Sequence, residues 1–163
     1  MSRSPAASVL SNRDLLSHIT SFQDGRPLSE WCGDMAAAHG HVRLLPHVTG
    51  FTARAMDLAA RHGHLDVVKW LHENRSEGCT TYAMNWAAAF GHLDVVKWLH
   101  ANRSEGCNTD AMDLAAAGNH LDVVRWLHEN RFEGCSVKAL DIARTRRHYE
   151  TARWLQNNVD LPE

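Results

Sequence analysis

Twelve histidines, six tryptophans and four cysteines stand out in this 163-residue chain. Imidazole nitrogens and thiolate sulfurs are the usual ligands of zinc and related ions, so composition alone points to metal or cofactor chemistry. Spacing argues otherwise. His72, His100 and His128 recur every 28 residues. Elements that repeat by stacking lie about 8–10 Å apart, whereas a zinc site needs nitrogens within about 2.1 Å of one ion. Rungs so spaced cannot converge. His39, His41, His62 and His64 form the exception, and they leave histidine-dependent metal binding as an alternative reading, which elemental analysis of untagged protein tests. Cys79, Cys107 and Cys135 repeat at the same interval, and residues one rung apart exceed the roughly 7 Å limit for a disulfide. With no Cys-x-x-Cys, thiols that do not pair imply a reducing, cytoplasmic or nuclear setting. Cys32 falls outside this register and reads as small core filler. Neither a nucleophile elbow, nor a phosphate-binding glycine loop, nor a His-Glu-x-x-His helix is present, so we expect no cofactor and no enzymatic activity.

These residues are placed by a repeat. The segment from Gly63 to His72 recurs unchanged from Gly91 to His100, again as Asn119 to His128, and in worn form from Arg147 onward. Between 63–79 and 91–107, 16 of 17 positions are identical, Glu73 versus Ala101 being the difference. A fixed period of about 20–50 residues marks a stacked array. The histidine and tryptophan counts therefore measure copying of one motif.

Each unit reads as two helices. The first is short and alanine-rich (Ala55–Ala60, Ala83–Ala89), and Thr52, Thr80, Asn108 and Ser136 stand before it as N-caps. Gly63, Gly91 and Asn119 follow it, types that tolerate the left-handed conformation ending a helix. Arg147 breaks this pattern and predicts a different turn in the last unit. The second helix carries Leu65, Val67, Val68, Trp70 and Leu71, a stripe wide enough to pack on two sides. Trp70, Trp98, Trp126 and Trp154 read as core on this helix. Asp66/Lys69, Asp94/Lys97 and Asp122/Arg125 predict charge pairs at i,i+3. Arg-Ser-Glu-Gly-Cys then loops back. Pro46 predicts an early end to the second helix of the irregular first unit, which begins at Gly33.

Leu-Ala-Ala-x-x-Gly-His-Leu-Asp-Val-Val-Lys-x-Leu resembles the ankyrin repeat over roughly residues 33–157. The Thr-Pro-Leu-His opening usual in that family appears here as Arg54-Ala55-Met56-Asp57 and Tyr82-Ala83-Met84-Asn85. The period is also shorter than the usual 33. The resemblance implies an all-α, ankyrin-like helix-turn-helix solenoid of about five stacked pairs, with short turns where the family carries a hairpin finger. It implies structural roles for the Gly-His histidines (His41, His64, His92, His120, His148), hydrogen-bonding around the helix–helix turn. Asp57, Asp113 and Asp141, in register with the opening histidine, are expected to make structural hydrogen bonds. Residues 1–9 are expected to form a flexible start, 10–30 an N-terminal capping helix and connector, and 31–163 the repeat domain.

Net charge of −2 and pI near 6.6 give no electrostatic footprint for nucleic acid or an anionic membrane, and no apolar run is long enough for a span. The expected function is a non-enzymatic, monomeric protein-interaction module. Within it, positions that vary between near-identical copies are informative: Arg54/Tyr82/Asp110/Lys138, Leu58/Trp86/Leu114/Ile142, Arg61/Ala89/Ala117/Thr145 and His62/Phe90/Gly118/Arg146. By resemblance the first, third and fourth sets face a concave groove lined by first helices or its rim. Arg54, Arg61, His62, Tyr82, Phe90, Asp110, Lys138 and Arg146 are the candidate partner-binding residues, the aromatic pair foremost because aromatics are enriched at interface hot spots. Trp86 either fills a local gap or extends that surface. A further alternative is a ubiquitin-ligase adaptor, since Leu10–Phe22 faintly resembles the opening helix of an F-box. Recruitment of a ligase linker through residues 1–32 tests it.

Overall fold

A computed structural model describes residues 31–159. The expected capping helix and the F-box-like segment lie outside that range. Among the described residues there are only helices and turns: α1 (Gly33–Ala38), a 3-10 turn (Leu45–His47), α2 (Ala53–Arg61), α3 (Leu65–Asn74), α4 (Thr81–Ala89), α5 (Leu93–Asn102), α6 (Thr109–Ala117), α7 (Leu121–Asn130), α8 (Val137–Thr145) and α9 (Tyr149–Asn158). Four full helical pairs thus follow an abbreviated one, in which the 3-10 turn carrying Pro46 stands for the second helix. Loops such as 75–80 replace any projecting hairpin.

Local chemistry explains each boundary. Thr52, Thr80, Asn108 and Ser136 each accept at the side chain from the backbone N–H two residues on, satisfying a donor that the helix itself leaves free. Gly63 and Gly91 take φ of 74° and 76° at the inter-helix turn, and Asn119 takes 63°. Arg147 also takes 63°, so the last unit turns like the others, contrary to the sequence expectation. Its side chain is exposed, and the αL strain of roughly 1–2 kcal/mol is offset by the packed helices on either side. The i,i+3 charge pairs do not form either. Asp66 and Asp94 accept instead from the N–H of Val67 and Val95, at 2.9 Å each, in the first turn of their helices.

First helices pack directly on one another through fully buried alanines (Ala59, Ala60, Ala87, Ala88, Ala115, Ala116), whereas second helices touch each other little. Small side chains let backbones approach, so the row of first helices is the tighter, inner row. Met56, Met84, Met112, Val67, Val95, Leu71, Leu99 and Leu127 fill the space between rows.

Three side-chain ladders link successive units. In the first, Asp57 accepts from Thr80 N–H and Thr80 Oγ1 (2.8 Å each), Asp113 from Ser136 N–H (2.8 Å) and Oγ (2.5 Å), and Asp34 from Thr52 in the same way. Asn85 holds Asn108 as a neutral amide, accepting from its backbone N–H at 3.3 Å and donating from Nδ2 to its Oδ1 at 2.7 Å. Each capping residue is therefore itself held by the preceding unit.

The second ladder uses the Gly-His histidines. His92 Nε2 lies 3.1 Å from the Arg61 carbonyl and His148 Nε2 lies 3.2 Å from the Ala117 carbonyl, both on the preceding unit rather than around their own turn. In these two units a carbonyl left free at the end of one first helix thus finds its partner one unit later. Asn119, where earlier units have glycine, accepts at Oδ1 from Thr151 Oγ1 at 2.9 Å. Thr151 is fully buried where earlier units have valine, so these two departures from the repeat satisfy each other.

In the third ladder, His72, His100 and His128 stand edge-on to Trp98, Trp126 and Trp154 at 5.2–5.3 Å. Arg103 and Arg131 reach His72 and His100 at Nδ1 (3.3 Å) while pairing with Glu105 and Glu133. Arginine has no acceptor, so Nδ1 is the unprotonated nitrogen. Partial burial opposes ionisation of Glu105, but hydrogen bonds from Arg103 and the backbone outweigh it and hold the carboxyl at about 2. A folded value below the ordinary 4.5 means this stabilisation is complete at neutral pH and is lost as pH falls from about 4.5 toward 2. The urea midpoint is therefore expected to drop between pH 5 and pH 3, and Glu105→Gln to flatten that drop. A Gln variant with the wild-type acid profile would rule this pair out as a contributor.

Candidate functional site

The variable positions lie on the inner row. At α4, Tyr82, Trp86 and Phe90 follow one another at four-residue spacing, which places them on one helix face. Thr80 fixes the start of this helix, and the backbone N–H of Phe90 closes its end on Trp86 O. Tyr82 is 54% and Phe90 49% exposed. The Tyr82 and Trp86 rings stack at 5.2 Å with 25° between planes. From the neighbouring α2, the Arg61 guanidinium lies 5.5 Å from the Trp86 ring and 5.3 Å from that of Phe90. Such cation–π contacts contribute roughly 0.5–2 kcal/mol, more where water is excluded. Arg61 Nε is sealed from solvent with no hydrogen-bond partner.

The other candidates spread along the same row. Arg54, Asp110 and Lys138 are exposed at the starts of α2, α6 and α8, and His62 and Arg146 are exposed at the ends of α2 and α8. Asp110 accepts from Asn108 Nδ2 at 3.1 Å. Arg146 donates from Nη1 to the Ala117 carbonyl at 2.9 Å and takes up part of the surface there. Partial desolvation, then repulsion by Arg61, hold His62 below the ordinary histidine value. The structure brings Arg61, Tyr82 and Phe90 into one cluster and leaves Arg54, Asp110, Lys138 and Arg146 apart from it.

Two register sets differ from their expected placement. Of the set Leu58/Trp86/Leu114/Ile142, placed outside the groove except for the surface alternative at Trp86, Leu114 is 40% exposed and Trp86 stacks within the surface cluster. The missed signal is arithmetic: these positions lie four residues after Arg54, Tyr82, Asp110 and Lys138, hence on the same stripe. Conversely Ala117, of the third set, is buried. Cys32 is exposed, at the position before α1, and so is not core filler. Burial pushes the thiols of Cys79 and Cys135 up to about 12 and about 11, far from the thiolate form needed for nucleophilic or redox chemistry at neutral pH.

His39 and His41 stack at 5.9 Å between ring centroids, and His62 and His64 at 6.1 Å. Among the described residues no three His, Cys, Asp or Glu side chains are placed to share an ion. No helix among them is long and apolar enough to cross a membrane.

A search of curated proteins finds no match. A family description of ankyrin repeats, three copies, matches residues 55–141 and 84–162. Those spans run from within the first helix of the first complete pair through the fourth pair, taking in the caps Thr80, Asn108 and Ser136, the inter-helix turns and the histidine ladder. Ankyrin repeats are in general protein–protein interaction modules and typically non-enzymatic. This chain belongs to the ankyrin-repeat family.

Proposed function

We propose that this protein binds a protein partner across the inner row of first helices, as a non-enzymatic scaffold or adaptor, with the contact centred on Tyr82, Trp86 and Phe90. One observation carries the reading. Units otherwise copied almost residue for residue diverge on this exposed stripe, and the divergence sets solvent-exposed aromatics beside unpaired cations. Large rigid aromatics contribute contact area at little entropic cost, and exposed on a folded surface they are the residues that interfaces bury. Arg54, Asp110, Lys138 and Arg146 would then act at the rim, setting orientation and association rate more than affinity.

Affinity capture with wild type beside the Tyr82→Ala/Phe90→Ala double variant tests this. Both side chains are exposed, so the fold is expected to survive and the captured partners to be lost. An unchanged partner list from a folded double variant removes this face from consideration.

A further inference from the structure

The exposed charges of the first helices lean positive without being of one sign: Arg54, Lys138, Arg144 and Arg146, with half-buried Arg61, stand against exposed Asp110 and Asp141 and half-buried Asp34, while Asp57 and Asp113 are buried on Thr80 and Ser136. Among the described residues the ion pairs are Arg75–Glu77, Arg103–Glu105 and Arg131–Glu133, all in the return loops. None of the inner-face cations has a carboxylate partner there. Arg61 is the most telling, because its guanidinium is held beside two aromatic rings and its Nε is sealed without an acceptor.

Resting on the reading above, we propose that the face takes an acidic peptide segment of a partner protein, with one carboxylate on Arg61 and an adjacent apolar side chain on the Tyr82–Trp86–Phe90 ridge. The Arg61 guanidinium, held on the ridge without a carboxylate of its own, selects an anionic group, and the aromatic ridge requires the partner to bring apolar surface as well. A carboxylate fits better than a phosphate. Phosphate recognition uses converging arginines, whereas Arg54 stands seven residues before Arg61 on the same helix, about 10 Å along its axis, and Lys138 belongs to a unit three repeats away. Planar guanidinium and planar carboxylate match in a bidentate geometry that lysine does not reproduce.

The test is selection of a random dodecapeptide library, displayed on phage, against the full chain, followed by titration of the selected peptides in solution. Enriched peptides are expected to place Asp or Glu within two residues of an aromatic or branched aliphatic side chain. Arg61→Gln is expected to weaken them about 10- to 100-fold, Arg61→Lys to recover part of that loss, and added salt to weaken them further. Circular dichroism of each variant separates lost contact from lost fold. Neutral peptides that need Tyr82 and Phe90 but ignore Arg61→Gln overturn the acidic class and leave the proposed function standing. Peptides indifferent to Tyr82→Ala/Phe90→Ala overturn both. Failure to enrich any peptide, or self-association of the chain that Arg61→Gln abolishes, also overturns the proposal, the latter by giving the face to a second copy.

Discussion

Gly63→Ala is expected to destabilise the protein by about 3 kcal/mol, the sum of a backbone and a packing cost. Gly63 has φ 74°, a left-handed conformation that costs a non-glycine residue roughly 1–2 kcal/mol. A Cβ at this position would also fall 2.6 Å from His92 Nδ1. That ring cannot swing away freely, because its Nε2 is fixed at 3.1 Å from the Arg61 carbonyl. Displacing it loses this hydrogen bond, so overpacking adds about 1–3 kcal/mol to the backbone strain. Gly134 supplies the control. Its φ is 69°, but nothing lies within 4 Å of where a Cβ would stand. Gly134→Ala should therefore show the backbone cost alone, about 1 kcal/mol. Urea unfolding of the two variants measures the difference. Equal losses would mean that His92 does not pack on Gly63 in solution.

Asp57→Ala is expected to cost about 2 kcal/mol, while Asp57→Asn stays within about 1 kcal/mol of wild type. Asp57 is 3% exposed and receives both the backbone N–H and the hydroxyl of Thr80. Removing it leaves the Thr80 cap unanchored, and that cap starts α4, the helix that carries Tyr82, Trp86 and Phe90. Burial is the largest influence on Asp57 and raises its carboxyl above the usual value despite both hydrogen bonds. The charge is thus a burden in the folded state, and ionisation works against stability as pH rises through the normal carboxylate range. A neutral amide avoids that penalty, and Asn85 with Asn108 already shows the arrangement in the next unit. Thermal unfolding of both variants at pH 7 is the measurement. If Asn proves as damaging as Ala, the charge rather than the hydrogen-bond geometry is what Thr80 requires.

The site was only partly legible in the sequence. Exposure at Arg54, Tyr82, Asp110 and Lys138 follows from their place two residues after a cap, a local relation that periodicity reveals. Trp86 was ambiguous because a tryptophan where other units have leucine or isoleucine fits a gap or a surface equally well. The choice depends on the Arg61 guanidinium, 25 residues earlier in the chain. Likewise the i,i+3 charge pairs were a reasonable helix pattern. They fail because the first-turn aspartates accept from free N–H groups of their own helices, closer at hand than a flexible lysine.

The opening question, what so many histidines do, divides along the same line. That they are copies is plain from the residue order: the 28-residue period, the four caps and the glycine turns are all written within short stretches of chain. Those signals are local because they concern a few backbone donors and one dihedral angle at a time. What each ring touches depends on the stacking of the units. His92 reaches a carbonyl 31 residues earlier, and His72 meets a tryptophan 26 residues later. Contacts of that kind depend on the distance and rotation between stacked units, which the close approach of the alanine faces sets and no single repeat contains.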